Sequence, residues 1–364
     1  MPSAIARLND FGQSPWYDNL TRELLRDGGL RRLIDDDGIR GVTSNPTIFE
    51  KAMAAGDVYD DGLKACEAAG QSIEESYWSL VTEDVAEAAD MLRPVYDSTR
   101  GADGLVSLEV SPDIAHDTEA TCKQAKELFA RVARPNLMIK IPAALAGLPA
   151  ITRTIAAGIN VNITLIFAIE RHDQVISAYL DGLEELDANG GDLSRIASVA
   201  SFFVSRVDTE TDRRLPDGHE LRGRAAVANA KLAYALFKER FSGERWEALA
   251  AKGARVQRPL WASTSTKNPD YLSTLYVDEL IGRDTVSTLA PGSIDALHAG
   301  EGTQRADTVE ADLDGARKVI EDLGTAGVDF ADVTDTLERE GIESFSASFH
   351  DALSTLEKKR AEVS

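Results

Sequence analysis

An α/β fold of the (β/α)₈ barrel type, with helical additions at both ends, is what this 364-residue sequence predicts. Three observations carry the prediction. Short apolar runs alternate with longer amphipathic stretches along the chain, the pattern of βα units around a parallel sheet. The apolar runs can be counted, and there are eight. No G-x-G-x-x-G or Walker motif supports the competing fold with the same alternation, a doubly wound open sheet.

The expected strands are "SPWYD" (14–18), "IRGVTS" (39–44), "LVSLEVS" (105–111), "NLMIKI" (136–141), "INVNITLI" (159–166), "IASVASFF" (196–203), "RPLWAS" (258–263) and "DTVSTL" (284–289). Helices are marked between them. Over 72–93, Ile73, Tyr77, Leu80, Val81, Val85, Ala88 and Leu92 share one face; Ser72 with Glu75 reads as a capping box, and Pro94 as lying past the helix end. Residues 169–188 repeat the pattern with Val175, Ile176, Tyr179, Leu180, Leu183 and Leu186, stopped by Asn189-Gly190-Gly191. Phe345, Phe349, Leu353 and Leu356 put a further amphipathic helix near the C-terminus. With no linker, low-complexity tract or repeat, 1–364 reads as one barrel domain, the additions falling at about 1–13 and 300–364.

Composition narrows the function. The chain is 43% hydrophobic and 27% charged, with a formal net charge of −22. Such a surface repels nucleic acid and anionic membranes, so an anionic small molecule would need a local basic pocket. Cys66 and Cys122 fall in helical stretches and suggest no disulfide framework. The first residues lack an apolar signal core, and no run approaches the ~18 apolar residues of a membrane span. A reducing cytoplasm is expected. His116, His172, His219, His298 and His350 are scattered, expected on helix or loop surfaces, and none belongs to a metal pair.

Polar residues inside the strands carry the chemistry. Side chains alternate across a strand, so residues two apart share a face. Thr43 with Asn45, Ser107 with Glu109, and Asn160 with Asn162 and Thr164 each make a polar face opposite an apolar one. In a barrel, inward polar groups near the C-terminal strand ends build the active site. Lys140 stands out between Ile139 and Ile141, with no acid within six positions on either side. It needs either a structural partner, with Glu109 on the adjacent strand available, or a use for a neutral amine. Desolvation disfavours an ammonium ion and so favours a nucleophile able to form a Schiff base. Glu109, Asp18, Thr164, Asn45 and Asn162 are of the types that such chemistry requires for proton transfer and hydroxyl binding.

At these residues the sequence resembles the transaldolase family. The resemblance runs through "WYDNLTR", "GVTSNPTIF", "SLEVSP", "LMIKIPA", "GINVNITLIF", "SFFVSRVDT" and "ASTSTKNP", about residues 14–270. It implies a (β/α)₈ barrel that works without metal or organic cofactor. Such an enzyme moves a dihydroxyacetone unit from sedoheptulose 7-phosphate to glyceraldehyde 3-phosphate in the pentose phosphate pathway. By the same resemblance Lys140 is the Schiff-base lysine, Glu109 the acid/base and Asp18 the first-strand aspartate; Thr164 joins Glu109 in holding a catalytic water. Thr43, Asn45, Asn162 and Ser201 would contact hydroxyls. Arg206, Ser265 and Lys267 would form the phosphate pocket, with lysine at 267 where many members carry arginine. A class I aldolase releasing free dihydroxyacetone is the near alternative, and a non-catalytic sugar-phosphate-binding barrel the distant one. No oligomeric state is implied.

Overall fold

The computed structural model describes residues 3–363. All eight expected runs are strands, within a few residues: β1 Gln13–Tyr17, β2 Gly41–Val42, β3 Leu105–Glu109, β4 Leu137–Pro142, β5 Asn160–Ile166, β6 Ser198–Phe203, β7 Gln257–Ala262 and β8 Thr285–Leu289. They pair in sequence order, all parallel, and β1 closes on β8 through the register Gln13↔Thr285 to Tyr17↔Leu289. Each strand is buried along almost its whole length, because helices cover the outside and side chains fill the inside.

Register sets which polar residues meet. Glu109 pairs with Lys140, and Lys140 with Asn162, so three polar residues stand side by side at one level of the barrel. Between β5 and β6 the register shifts from Ile163↔Ala200 to Ile166↔Phe202, three residues facing two. This bulge holds Leu165 in the left-handed region, at φ 60°. An aliphatic residue there costs on the order of 1–3 kcal/mol, the kind of strain that collects at functional sites.

One helix departs from expectation. The Ser72 capping box is present, but the helix runs Ile73–Ser98 and passes through Pro94. Proline removes one amide donor and crowds the carbonyl four residues back. Pro94 and Arg93 face solvent, so that defect does not disturb the packed side. The helix after β5 spans Ile169–Ala188 as expected. Beyond β8 come Pro291–His298, Leu313–Thr325 and a long C-terminal helix, Phe330–Val363. Phe345, Phe349 and Leu356 of that last helix are buried and join the main apolar core. Cys66 and Cys122 are buried free thiols. Among the described residues no helix is long and apolar enough to cross a membrane.

Candidate active site

The strand ends converge on a cavity of about 320 Å³. Asp18 follows β1, its amide bonded to the Leu289 carbonyl of β8; Thr43 follows β2, its amide bonded to the Tyr17 carbonyl of β1. The Thr43 hydroxyl donates to Asp18 Oδ1 at 2.6 Å. Lys140, Thr164, Ser201, Arg206, Ser265 and Lys267 also line the cavity. So does Asn45, which caps the helix Pro46–Ala54 by accepting the Ile48 amide at 3.0 Å.

Lys140 is 5% exposed and Glu109 4%. Lys140 Nζ lies 2.9 Å from Glu109 Oε2 and donates to the Ser44 carbonyl at 3.2 Å. The contact with Glu109 is an ion pair off hydrogen-bonding alignment, since neither carboxylate oxygen receives an aligned donor. Burial pushes the Glu109 carboxyl above the usual range, against the attraction of Lys140. The Thr164 hydroxyl is also buried without a partner. Glu109 sits behind Lys140, walled by Tyr77, Phe49 and Phe349 rather than facing the open cavity. Asn162 is fully buried below the floor. Its amide donates to the Ser107 hydroxyl at 3.0 Å, and its carbonyl accepts from Ser201 at 2.7 Å.

Part of the lining is basic. Arg206 and Lys267 form it, and neither has an ion-pair partner among the described residues. Burial pulls the Arg206 guanidinium down from its ordinary range. Lys267 stands accessible at the mouth, yet its surroundings and the charge of Arg206 also destabilise its ammonium. Ser263, left-handed at φ 57°, turns the chain out of β7 into the loop carrying Ser265 and Lys267. The Ser263 carbonyl accepts the Ser205 amide at 3.0 Å, tying that loop to the start of the helix bearing Arg206. In a chain of charge −22, two cations lining one cavity without ion-pair partners among the described residues are chemically suited to hold an anion.

Other lining residues are not singled out for the site by the sequence, among them Asn19, Lys51, Phe203 and Phe345. Asn19 and Lys51 have no pattern that separates them from surface polar residues, and Phe203 reads as ordinary strand core. Phe345 reaches the cavity from the C-terminal helix. Its ring centroid is 5.5 Å from Lys140 Nζ and 5.8 Å from the Arg206 guanidinium carbon. His172 is the reverse case: expected on a surface, it is fully buried against Phe202, with ring centroids 5.7 Å apart. The inward turn of its helix face places it there. No His/Cys/Asp/Glu cluster able to hold a metal occurs among the described residues.

Fold and cavity together define an α/β-barrel enzyme with a buried lysine at its open end. The chain belongs to the transaldolase/fructose-6-phosphate aldolase family, whose family model matches residues 15–356. It is 49% identical over 360 residues to a transaldolase of Saccharopolyspora erythraea, covering 98% of both chains. It is 50% identical over 366 residues to one from Thermobifida fusca, covering 99% of each. A transaldolase of Mycobacterium bovis is 48% identical over 355 residues, covering 96% of this chain and 95% of that one.

Proposed function

We infer that this protein is a cytoplasmic transaldolase working as a single domain, carrying dihydroxyacetone from sedoheptulose 7-phosphate to glyceraldehyde 3-phosphate and yielding erythrose 4-phosphate and fructose 6-phosphate. One observation carries the assignment of roles. The cavity brings together a buried lysine backed by Glu109 and two cations, Arg206 and Lys267, without ion-pair partners among the described residues, a set that suits a carbonyl and a phosphate on one sugar chain.

The buried pair suits the first step. If the Lys140 proton passes to Glu109, both groups become neutral, which burial favours and which nucleophilic attack requires. The amine adds to the ketose C2 carbonyl. Glu109, set back from the open cavity, protonates the departing hydroxyl through a water it shares with Thr164, and a molecule of water leaves as the iminium forms. The Thr164 hydroxyl, buried without a partner, supports its reading as the second holder of the shared water. Asp18, steadied by Thr43, takes the C4 hydroxyl proton while the C3–C4 electrons flow into the iminium. The aldose leaves and an enamine remains on Lys140. Addition to the acceptor aldehyde and hydrolysis reverse these steps. Asn45 and Ser201 hold donor hydroxyls, and Asn162 acts from below by orienting Ser201. Arg206, Ser265 and Lys267 hold the phosphate.

The test is borohydride reduction with fructose 6-phosphate, followed by mass spectrometry. A three-carbon adduct on Lys140 is expected. Lys140→Arg keeps the charge but cannot supply a neutral amine, and activity should fall by about 10⁴-fold or more. An adduct on another lysine, or normal turnover by the arginine variant, would refute the mechanism. Equal turnover with and without an acceptor aldose would identify an aldolase instead.

A further inference from the structure

We propose that Phe345 is a positioning residue that couples Lys140 to the candidate anion site, its ring stabilising positive charge on Lys140 Nζ and fixing the Arg206 guanidinium for the phosphate. The proposal rests on Lys140 being the Schiff-base amine.

Phe345 is 3% exposed and lines the cavity. Both cations lie within the roughly 6 Å at which an aromatic face attracts positive charge, Nζ at 5.5 Å and the Arg206 carbon at 5.8 Å. Arg206 has a second ring, Phe203, with its centroid 5.2 Å away. It has no carboxylate partner among the described residues, so aromatic contacts take the place of an ion pair. That arrangement holds the guanidinium without neutralising it, leaving its charge for an incoming anion.

The ring is held firmly. The helix Phe330–Val363 that carries it is tied to the helix Pro46–Ala54 after β2 by Thr47 and Ser348, hydroxyl to hydroxyl at 2.7 Å. Ser346 donates to Asp113 after β3 at 2.7 Å, and Glu338 pairs with Arg171 after β5 at 3.2 Å. Asp332 pairs with Arg214 after β6 at 2.6 Å. At Gly341 the helix comes so close that an added Cβ would stand 2.9 Å from Leu165 Cδ2 and 3.5 Å from Arg206 Nη1. The left-handed Leu165 and Gly341 thus fit together, one turn before Phe345.

The charge on Nζ changes through the cycle. It is positive in the ammonium and the iminium, and absent in the attacking amine, the carbinolamine and the enamine. A ring face at this distance favours the charged members of that series, among them the iminium that borohydride traps.

Phe345→Leu removes the π face and keeps an apolar side chain. Its trappable iminium at saturating fructose 6-phosphate should fall by about 3- to 30-fold. Its KM for fructose 6-phosphate should rise severalfold, with little change for dihydroxyacetone, which has no phosphate. Phe345→Tyr should stay within about twofold of wild type on both readouts. Should the leucine variant not fold, trifluorination of the Phe345 ring keeps the shape, weakens the negative face and should reproduce both losses. Equal losses in the leucine and tyrosine variants would mean that the ring only fills space, and overturn the proposal. So would wild-type behaviour of the leucine or fluorinated protein. Mapping the wild-type adduct separates the two readings. If it is not on Lys140, the Schiff-base assignment fails and this proposal with it; if it is on Lys140 and the variants are unchanged, only this proposal fails.

Discussion

Two buried ion pairs, one outside the barrel and one inside it, use the same kinds of group to opposite ends. Outside, Arg22 and Asp84 are 3% and 1% exposed, with Nε donating to Oδ1 at 2.6 Å. Every neighbour adds a bond: Arg22 reaches the Leu80 carbonyl at 3.1 Å and Glu83 at 2.8 Å, and the Tyr59 hydroxyl donates to Asp84 at 2.8 Å. Inside, Lys140 and Glu109 are as deeply buried, but both Glu109 oxygens and the Thr164 hydroxyl lack an aligned partner. Burial raises both carboxyls, Asp84 to about 6. The difference lies in satisfaction. A charge whose hydrogen bonds are all used is fixed in place, whereas one with bonds to spare can exchange protons and accept a substrate.

The sharpest way to break this contrast is at the inner pair. Glu109→Gln should slow formation of the borohydride-trapped adduct by about 10²–10⁴-fold. Asp18→Asn should still form the adduct and stall at bond cleavage, so that covalent donor accumulates. Equal loss of adduct in both variants would abolish the division of labour. At the outer pair the effect should fall on stability alone. Arg22→Met leaves Asp84 buried without its cation and should cost about 3–5 kcal/mol in a urea titration, with turnover of the folded fraction unchanged. Arg22→Met with Asp84→Leu should recover most of that loss, and a loss of turnover would tie this network to catalysis.

His172 tests whether an unsatisfied buried group is enough to mark a site. Neither ring nitrogen has a partner, and burial pulls its pKa from 6.5 to about 4. The unfolded chain therefore takes up a proton that the folded one refuses. The stability linked to this group is complete above pH 6.5 and drains away as pH falls towards 4, by about 3 kcal/mol in all. His172→Leu should flatten that acid limb without altering turnover; an unchanged slope would show that another group dominates it. The smallest effect expected is at the mouth. Lys267→Ala should raise KM for fructose 6-phosphate about tenfold, and much less for unphosphorylated fructose. Equal shifts for both sugars would show that Lys267 does not read the phosphate.

Alternation made the barrel legible, because each strand's apolar face must meet a helix and its polar face must turn inward. The same rule brought Lys140, Thr164 and Ser201 to one cavity. It fixes a face but not a depth, and so Asn162 lies below the floor, on the same side as residues that line it. Pro94 misled because a proline on a solvent-facing turn costs less than one against the core. His172 misled because residue type outweighed its place on the helix. Phe345 was legible as an apolar position, spaced with Phe349 and Leu356. Its place over Lys140 depends on how a helix some 200 residues downstream docks, and local pattern carries no such information.

The docking of that helix has a consequence for the order of folding. Thr47 and Ser348 meet across 301 positions, among the most distant contacts in the chain. Neighbouring βα units can assemble from short-range contacts, whereas this one waits until both ends of the barrel exist. The entropic cost of so long a loop grows only logarithmically, so the delay is one of sequence in time rather than of lost stability. Refolding should therefore restore most of the helical signal before it restores turnover, because the ring above Lys140 is among the last pieces to arrive.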